Sequence, residues 1–402
     1  MLKVMKFGGT SVGTDERIMR AAGRITEEYA KGFKVVAVCS AQGDTTDELI
    51  EKAARINPDA SKREMDMLLS TGEQQSVALM SMAIHKLGYP AVSLTGYQAG
   101  ICSSSSHRAA RIKRIETDRL CSELDRNNIV VVAGFQGIDR YGDITTLGRG
   151  ASDTTAVAIA AALDSDICEI YTDVDGVYTA DPRIVKNAMK IDVISFDEML
   201  ELATLGAQVL HSRSVEMAKK YRVKLVVRSS LTDAPGTLVK EETKLESTYI
   251  SGLAIDKDVT VISLVGLKDM PGVAFKIFSL LAKEKISVDI ILQSIGRNNT
   301  KDISFTVKKS EAMQSIDLIT GNKDNIGYDS ISFNDKIAKL SVVGAGMASN
   351  PGVASKMFEA LSDAGVNIGM ISTSEIKISV LIDANDVERA ANYVHDKFMI
   401  EK

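Results

Sequence analysis

The sequence predicts an α/β protein: a mostly parallel central sheet with helices on both faces, followed by two smaller α+β modules. Three observations carry this reading. Over about the first 230 residues, continuous apolar, β-branched runs alternate with helical stretches, the pattern of strands buried on both faces and joined by crossover helices. Polar, glycine-bearing segments (KFGGTS, SAQGDTTDE, GFQGI and YTDVDGVYTADPR) follow those runs, where the ligands of parallel sheets gather. The remaining stretch repeats itself at an offset of 80, the sign of two copies of one unit.

Taken in order, Leu2–Lys6 is a short strand ending at Gly8-Gly9, and Asp15–Lys31 reads as a helix. Val35–Cys39 is an apolar strand whose turn leads into a second helix. Ser61–Leu87 is helix-rich, with a break expected at Thr71-Gly72. Ile129–Ala133 and Ile167–Tyr171 are further β-branched strands, and Leu225–Val227 closes the series. Asp233–Thr248 is polar, carries Pro235-Gly236 and a charge run, and reads as a linker. The expected domains are therefore 1–232, a linker at 233–250, and 251–402 with repeat cores at about 259–310 and 338–402. PGVAFKIF (Pro271–Phe278) matches PGVASKMF (Pro351–Phe358) at six of eight positions. The match continues without a gap through Leu281/Leu361, Ile286/Val366, Val288/Ile368, Ile291/Ile371 and Ser294/Ser374. Each copy reads as strand, Pro-Gly turn, amphipathic helix, then further strands and a helix, with proline at the first helical position.

Composition removes several classes of function. The 48 basic and 53 acidic residues leave a net charge of −5, so there is no basic field for nucleic acid. Tryptophan is absent and aromatics are 5%, which argues against base-stacking surfaces. No apolar run reaches the ~18 residues of a membrane span. MLKVMKFGGTSVG lacks a charged region followed by a long apolar one, so a cytoplasmic protein is expected. Cys39, Cys102, Cys121 and Cys168 form no CxxC pair and no zinc-like cluster, so buried or indifferent thiols are expected.

Three motifs carry chemistry. Lys6-Phe7-Gly8-Gly9-Thr10-Ser11 follows a strand and opens a helix. Bare glycines admit a phosphate to the backbone, and a lysine beside them can stabilise a transferring phosphoryl group. A tight turn with a solvated lysine is the alternative. Leu147-Gly148-Arg149-Gly150-Ala151-Ser152-Asp153 enters an apolar helix, and its arginine fork suits a carboxylate, although the aspartate also fits a simple helix cap. Tyr171-Thr172-Asp173-Val174-Asp175-Gly176-Val177-Tyr178-Thr179-Ala180-Asp181-Pro182-Arg183 has the composition of a nucleotide pocket or of ordinary turns.

With SAQGDTTDEL, REMDMLLSTGE and the paired C-terminal modules, these motifs resemble the aspartate kinases of the amino-acid kinase family along essentially the whole chain. The resemblance implies an amino-acid kinase fold followed by two ACT (ferredoxin-like) modules. It implies transfer of phosphate from ATP, with Mg²⁺, to the side chain of L-aspartate, giving 4-phospho-L-aspartate, the entry to lysine, threonine, methionine and diaminopimelate synthesis. Position by position, Lys6 and Asp153 are the implied catalytic pair, with Asp153 organising the lysine. Thr46, Glu73, Arg149, Gly150 and Ser152 are implied to hold aspartate, Glu73 facing its amino group. Lys6, Phe7, Gly8, Gly9, Thr172, Asp173, Tyr178, Asp181, Arg183 and Arg228 are implied to hold the nucleotide. No protein metal ligand is assigned, because nucleotide-borne magnesium keeps most of its waters. Ala151, where many relatives have a third glycine, and Ser212 in LHSRS, where proline is expected, depart from the pattern.

The chemistry is consistent with this. An aspartate carboxylate, with a reference pKa of about 3.9, is ionised without a general base. The motifs accordingly contain no histidine or cysteine, and His85, His107, His211 and His395 read as structural or surface residues. The obstacle is repulsion between two anions, which cations and oriented donors must offset. The resemblance also implies an amino-acid effector between the ACT modules, contacting Met270, Gly272, Val273, Ser287, Asp289, Gln293, Ser294, Asn350, Asn367, Ile368, Ser374 and Glu375. Asp289, where the second copy has Gly369, is the candidate partner for the ammonium of lysine, so inhibition by lysine, alone or jointly with threonine, is expected, with a homodimer or a tetramer formed through the modules. The rival readings are a kinase acting on glutamate or acetylglutamate, and a non-catalytic amino-acid sensor.

Overall fold

The computed structural model describes residues 1–148, 150–206, 209–241, 250–294, 299–347, 350 and 352–399. They fall in two compact units, Met1–Thr179 with Lys190–Leu245, and Ala180–Met189 with Glu246–Lys402. No helix among the described residues is long and apolar enough to cross a membrane, and all four cysteines are free thiols.

The first unit is built on an eight-stranded sheet. Its order is Val193–Ser195, Thr237–Lys240, Leu225–Ser229, Ile167–Thr172, Leu2–Phe7, Lys34–Cys39, Ile129–Ala133 and Ala91–Leu94. Every pairing is parallel except that of Leu225–Ser229 with Thr237–Lys240. Alternate residues face opposite sides. Met5, Phe7, Val35, Ala37 and Cys39 pack with helices Asp15–Ala30 and Lys62–Lys86 through Ile18, Ile25, Met80 and Ile84. Lys6 points the other way, toward helix Ala151–Ala162. Both faces are covered, which is why the central strands are uninterrupted apolar runs. The strands that follow Leu2–Phe7 build to one side of it, and Ile167–Thr172 returns to the other. Such a reversal opens a crevice at the carboxyl ends of the strands, and Lys6 stands there.

Several local expectations change. Helix Lys62–Lys86 runs unbroken through Thr71-Gly72, because glycine here serves a close approach: a Cβ on Gly72 would lie 2.9 Å from the Ala41 methyl. Part of the stretch read as linker is the strand Thr237–Lys240, whose Thr237 and Val239 are fully buried. Four short strands, Ile101–Ser103, Ile112–Ile115, Gln136–Ile138 and Ile144–Thr146, form a separate small sheet. With Ala91–Leu94 they escape sequence detection because three or four residues of mixed polarity show no periodicity.

In the second unit, the first module runs strand Thr260–Lys268, helix Val273–Lys283, strands Ile291–Gln293 and Thr300–Val307, helix Lys309–Thr320 and strand Ser330–Asn334. The second runs Ile337–Val343, Val353–Asp363, Met370–Thr373, Lys377–Asp383 and Val387–Met399. Its remaining strand, Gly252–Asp256, lies before the first module in the chain and pairs antiparallel with Ile337–Val343. Helix Val273–Lys283 is preceded by left-handed Gly272 (φ 92°) and helix Val353–Asp363 by Gly352 (φ 106°). Pro271 therefore stands ahead of the cap rather than at the first helical position, and Pro351 lies outside the described residues. Ala180 and Val185 enter the core of the second module, and Asn392 donates to the Ile184 carbonyl at 3.0 Å.

Candidate active site

Five parallel strands end at Phe7, Cys39, Ala133, Thr172 and Ser229, so the loops that follow them share one edge. After Phe7 the chain turns at Gly8, whose N–H donates to the Tyr171 carbonyl at 3.2 Å, into the short helical turn Gly9–Val12. A side chain on Gly9 would come within 2.7 Å of the Ala41 carbonyl, and one on Gly8 within 3.3 Å of Lys6 Nζ. Bare backbone and a cation thus meet at one point. Lys6 Nζ is 2.6 Å from Asp153 Oδ1, and both residues are over nine-tenths buried. Asp153 and Ser152 sit in the first turn of helix Ala151–Ala162, entered through left-handed Gly150 (φ 72°), where the helix dipole favours anions. Ser152 lies against Gly134, at which a Cβ would meet its hydroxyl at 2.8 Å.

Glu73, carried by helix Lys62–Lys86, is 3% exposed. Its Oε1 accepts from the Ala41 N–H at 3.1 Å, while Oε2 is buried without a hydrogen-bond partner among the described residues. Burial pushes its carboxyl up to about 8, only partly opposed by the Ala41 N–H. A buried carboxyl with a raised pKa and one idle oxygen marks a candidate functional group. Thr46 lies half-buried in the first turn of helix Thr45–Ile56.

The nucleotide candidates divide. Thr172 ends its strand, donates to Asp173 at 3.0 Å, and gives its carbonyl to the Ser230 N–H at 2.8 Å. The Tyr178 hydroxyl donates to Asp175 at 2.7 Å, which raises its pKa. Arg228 is held at 3.1 Å by Glu169, a 2%-exposed carboxylate that also accepts from the Tyr171 hydroxyl at 2.9 Å. Asp181 and Arg183 belong to the second unit and form an ion pair with each other at 2.7 Å. Arg149 lies outside the described residues.

Among the effector candidates, Gly272 caps its helix, Val273 is buried beneath it, and Met270, Ser287, Asp289, Gln293 and Ser294 are exposed. Asn350 and Ile368 are half-buried, while Asn367, Ser374 and Glu375 are exposed. Asp289 is already engaged: buried Lys339, on strand Ile337–Val343, reaches it at 2.5 Å and Asp256 at 3.4 Å.

Sequence reasoning missed Asp66, His211 and Arg213. Fully buried Asp66 accepts from Thr146 N and Oγ1 at 3.0 and 2.6 Å, from the Arg108 N–H, and contacts His107 Nδ1 at 2.9 Å. The His211 N–H donates to Asp153 Oδ2 at 3.3 Å. The charged pair in REMD and the departure in LHSRS were visible, but nothing local signals contacts between residues 41 to 80 positions apart.

Comparison with known proteins finds likenesses along the whole chain. The Amino acid kinase family model matches residues 1–229, and an ACT domain model matches 262–321 and 340–398. The chain belongs to the amino acid kinase family and carries two ACT domains. Within that family its relatives are aspartokinases. It is 50% identical to Aspartokinase 2 of Bacillus subtilis over 402 residues, covering 100% of this chain and 98% of that one. The solved structure of E. coli aspartokinase III in complex with aspartate and ADP, in the R-state, matches with a TM-score of 0.83 at 25% identity, covering 99% of each chain. The same enzyme with lysine and aspartate, in the T-state, matches with a TM-score of 0.77 over the same coverage.

Proposed function

We propose that this enzyme catalyses ATP + L-aspartate → ADP + 4-phospho-L-aspartate in the cytoplasm, at the entry to lysine, threonine, methionine and diaminopimelate synthesis. The observation that carries the reading is the buried Lys6–Asp153 pair beside bare Gly8 and Gly9 at the sheet's carboxyl edge, in a chain whose relatives are aspartokinases. A carboxylate oxygen of aspartate forms the new bond to the γ-phosphorus, the bond from that phosphorus to the β,γ-bridging oxygen breaks, and its electron pair leaves on ADP. No proton need move. Catalysis is then positioning and charge stabilisation. Lys6 meets the transferring phosphoryl group, while Asp153 holds its ammonium in place. Gly8 and Gly9 let the nucleotide approach the backbone. Ser152, Gly150 and Arg149 hold the aspartate carboxylate, Thr46 supports it, and Glu73 takes its ammonium. Phe7, Thr172, Asp173, Tyr178 and Arg228 form the nucleotide side.

Among the described residues no group of three or more His, Cys, Asp or Glu side chains could hold a metal ion. Mg²⁺ carried on the nucleotide phosphates with its own waters needs no such group and supplies charge neutralisation there. Regulation by lysine, alone or jointly with threonine, is read from the ACT pair and from aspartokinase III, whose T-state structure contains lysine. Its site takes Met270, Gly272, Val273, Ser287, Asp289, Gln293 and Ser294 from one module. Asn350, Asn367, Ile368, Ser374 and Glu375 come from the other, within a homodimer or tetramer built on the modules. A lysine ammonium would compete with Lys339 for Asp289.

The test is ADP release with magnesium ATP and either aspartate or glutamate, titrated with lysine and threonine separately and together. Turnover with aspartate alone as acceptor is expected, and turnover with glutamate or with neither overturns the reading. Inhibition by lysine is expected, and its absence with both effectors present removes the regulatory part only.

A further inference from the structure

The stretch His211-Ser212-Arg213 grips both ends of the glycine loop that runs from Leu147 to Asp153. The Arg213 guanidinium donates from Nη1 to the Leu147 carbonyl at 2.6 Å and from Nη2 to the Ala110 carbonyl at 3.2 Å. Two residues earlier, the His211 N–H holds Asp153 Oδ2 at 3.3 Å. The imidazole of His211 covers Gly150 so closely that a Cβ there would lie 2.6 Å from its Cδ2. His211 is itself fixed as the cap of helix Ser212–Tyr221, its Nδ1 accepting from the Arg213 N–H at 3.3 Å. Burial lowers its pKa, against the pull of Asp153, and the Nδ1 that accepts from the Arg213 N–H carries no proton.

The loop needs such a hold. Gly148 and Gly150 both take left-handed backbone (φ 91° and 72°), and glycine in such positions is held by little of its own. Behind the loop, Asp66 pins Thr146 and the Arg108 N–H, and the Ala110 N–H donates to the Thr146 carbonyl at 3.0 Å. Arg213 ties that support to Leu147 from the other side. Its charge is also only partly offset. Two carbonyls accept from its guanidinium, it makes no ion pair among the described residues, and burial together with nearby Arg111 lowers its pKa against the opposing pull of Glu216. The guanidinium stands behind the loop where two anions must meet, and such a charge strengthens anion binding.

We infer that His211 and Arg213 are positioning residues for the acceptor substrate: together they set the 147–153 loop so that Ser152 and Asp153 face the reacting groups, and Arg213 adds positive potential behind it. The inference rests on reading this loop as the aspartate-binding loop. Neither side chain touches substrate in this account, so the signature is a split between the two substrates. In Arg213→Met, KM for aspartate rises roughly tenfold or more, KM for ATP stays within about twofold, kcat falls, and amide exchange over 147–154 accelerates. Arg213→Lys keeps the charge but not the two-pronged reach, so it recovers part of kcat and none of the KM. His211→Ala shifts the same constants in the same direction, and the double variant loses less than the sum of the singles, because both grip one loop.

A folded Arg213→Met with unchanged KM for aspartate and unchanged exchange overturns the inference. So does an equal rise in both KM values, which would mark general loosening. If Arg213→Met does not fold, His211→Ala decides on the same readouts. If the unaltered enzyme fails to phosphorylate aspartate, the function assigned to the loop falls, while the exchange data still report whether the clamp exists.

Discussion

Lys6 and Asp153 are buried together, so neither charge is tolerated alone: removing one partner strands the other at a cost of about 3–5 kcal/mol. Lys6→Met is therefore expected to cut kcat by roughly 100-fold or more and also to lower thermal stability. Lys6→Met with Asp153→Asn should recover the stability but not the turnover. Steady-state kinetics beside thermal melts check this, and unchanged turnover in Lys6→Met removes the lysine from the mechanism. Glu73 makes a different prediction. Its folded pKa of about 8 lies above the ordinary value of 4.5, so the folded protein retains a proton that the unfolded chain has lost. Its contribution to stability is full below about pH 4.5 and is lost as the pH rises through about 8. Glu73→Gln should lose less melting temperature than the parent across that window, and it should bind aspartate more weakly. In the parent, aspartate binding should release a proton near neutrality, because the incoming ammonium favours the ionised carboxylate. Calorimetry in buffers of different ionisation enthalpy reads that proton, and its absence removes Glu73 as the ammonium's partner.

Between elements, close packing reverses an ordinary expectation. Alanine normally improves a helix interior over glycine by about 1 kcal/mol. At Gly72 the added methyl would lie 2.9 Å from Ala41 Cβ, and the Ala41 N–H is the group that holds Glu73. Gly72→Ala is expected to destabilise by about 1–3 kcal/mol and to raise KM for aspartate; a more stable, fully active variant would refute this. The same site shows how far local patterns reach. The strands around Lys6 were legible because double-sided burial writes itself as long apolar runs. The Thr71-Gly72 break was misread because a glycine kept for an approach by another segment looks, in one dimension, like a glycine that ends a helix.

Over the whole chain, the repeat at an offset of 80 was legible because two copies of one core demand the same apolar spacing. That the second module takes its edge strand from Gly252–Asp256, ahead of the first module, was not. Leu253, 4% exposed, packs into the second module's core. Leu253→Ala should therefore cost about 2–5 kcal/mol, with faster amide exchange over Ile337–Val343 and retained protection over Thr260–Lys268. Exchange rising first in the first module would contradict the strand exchange.

By itself the sequence determined the class of sheet, the order of its loops and the duplicated C-terminal unit, and it proposed the residues of the candidate site. Those features follow from periodicity and local chemistry, which a chain displays in one dimension. Only the tertiary structure decided that Asp66, His211 and Arg213 contact one glycine loop and its support, that burial raises the pKa of Glu73, that Lys339 occupies Asp289, and which module owns Gly252–Asp256. Each of these depends on groups brought together by burial from distant parts of the chain, where the low-dielectric interior makes their partnership matter.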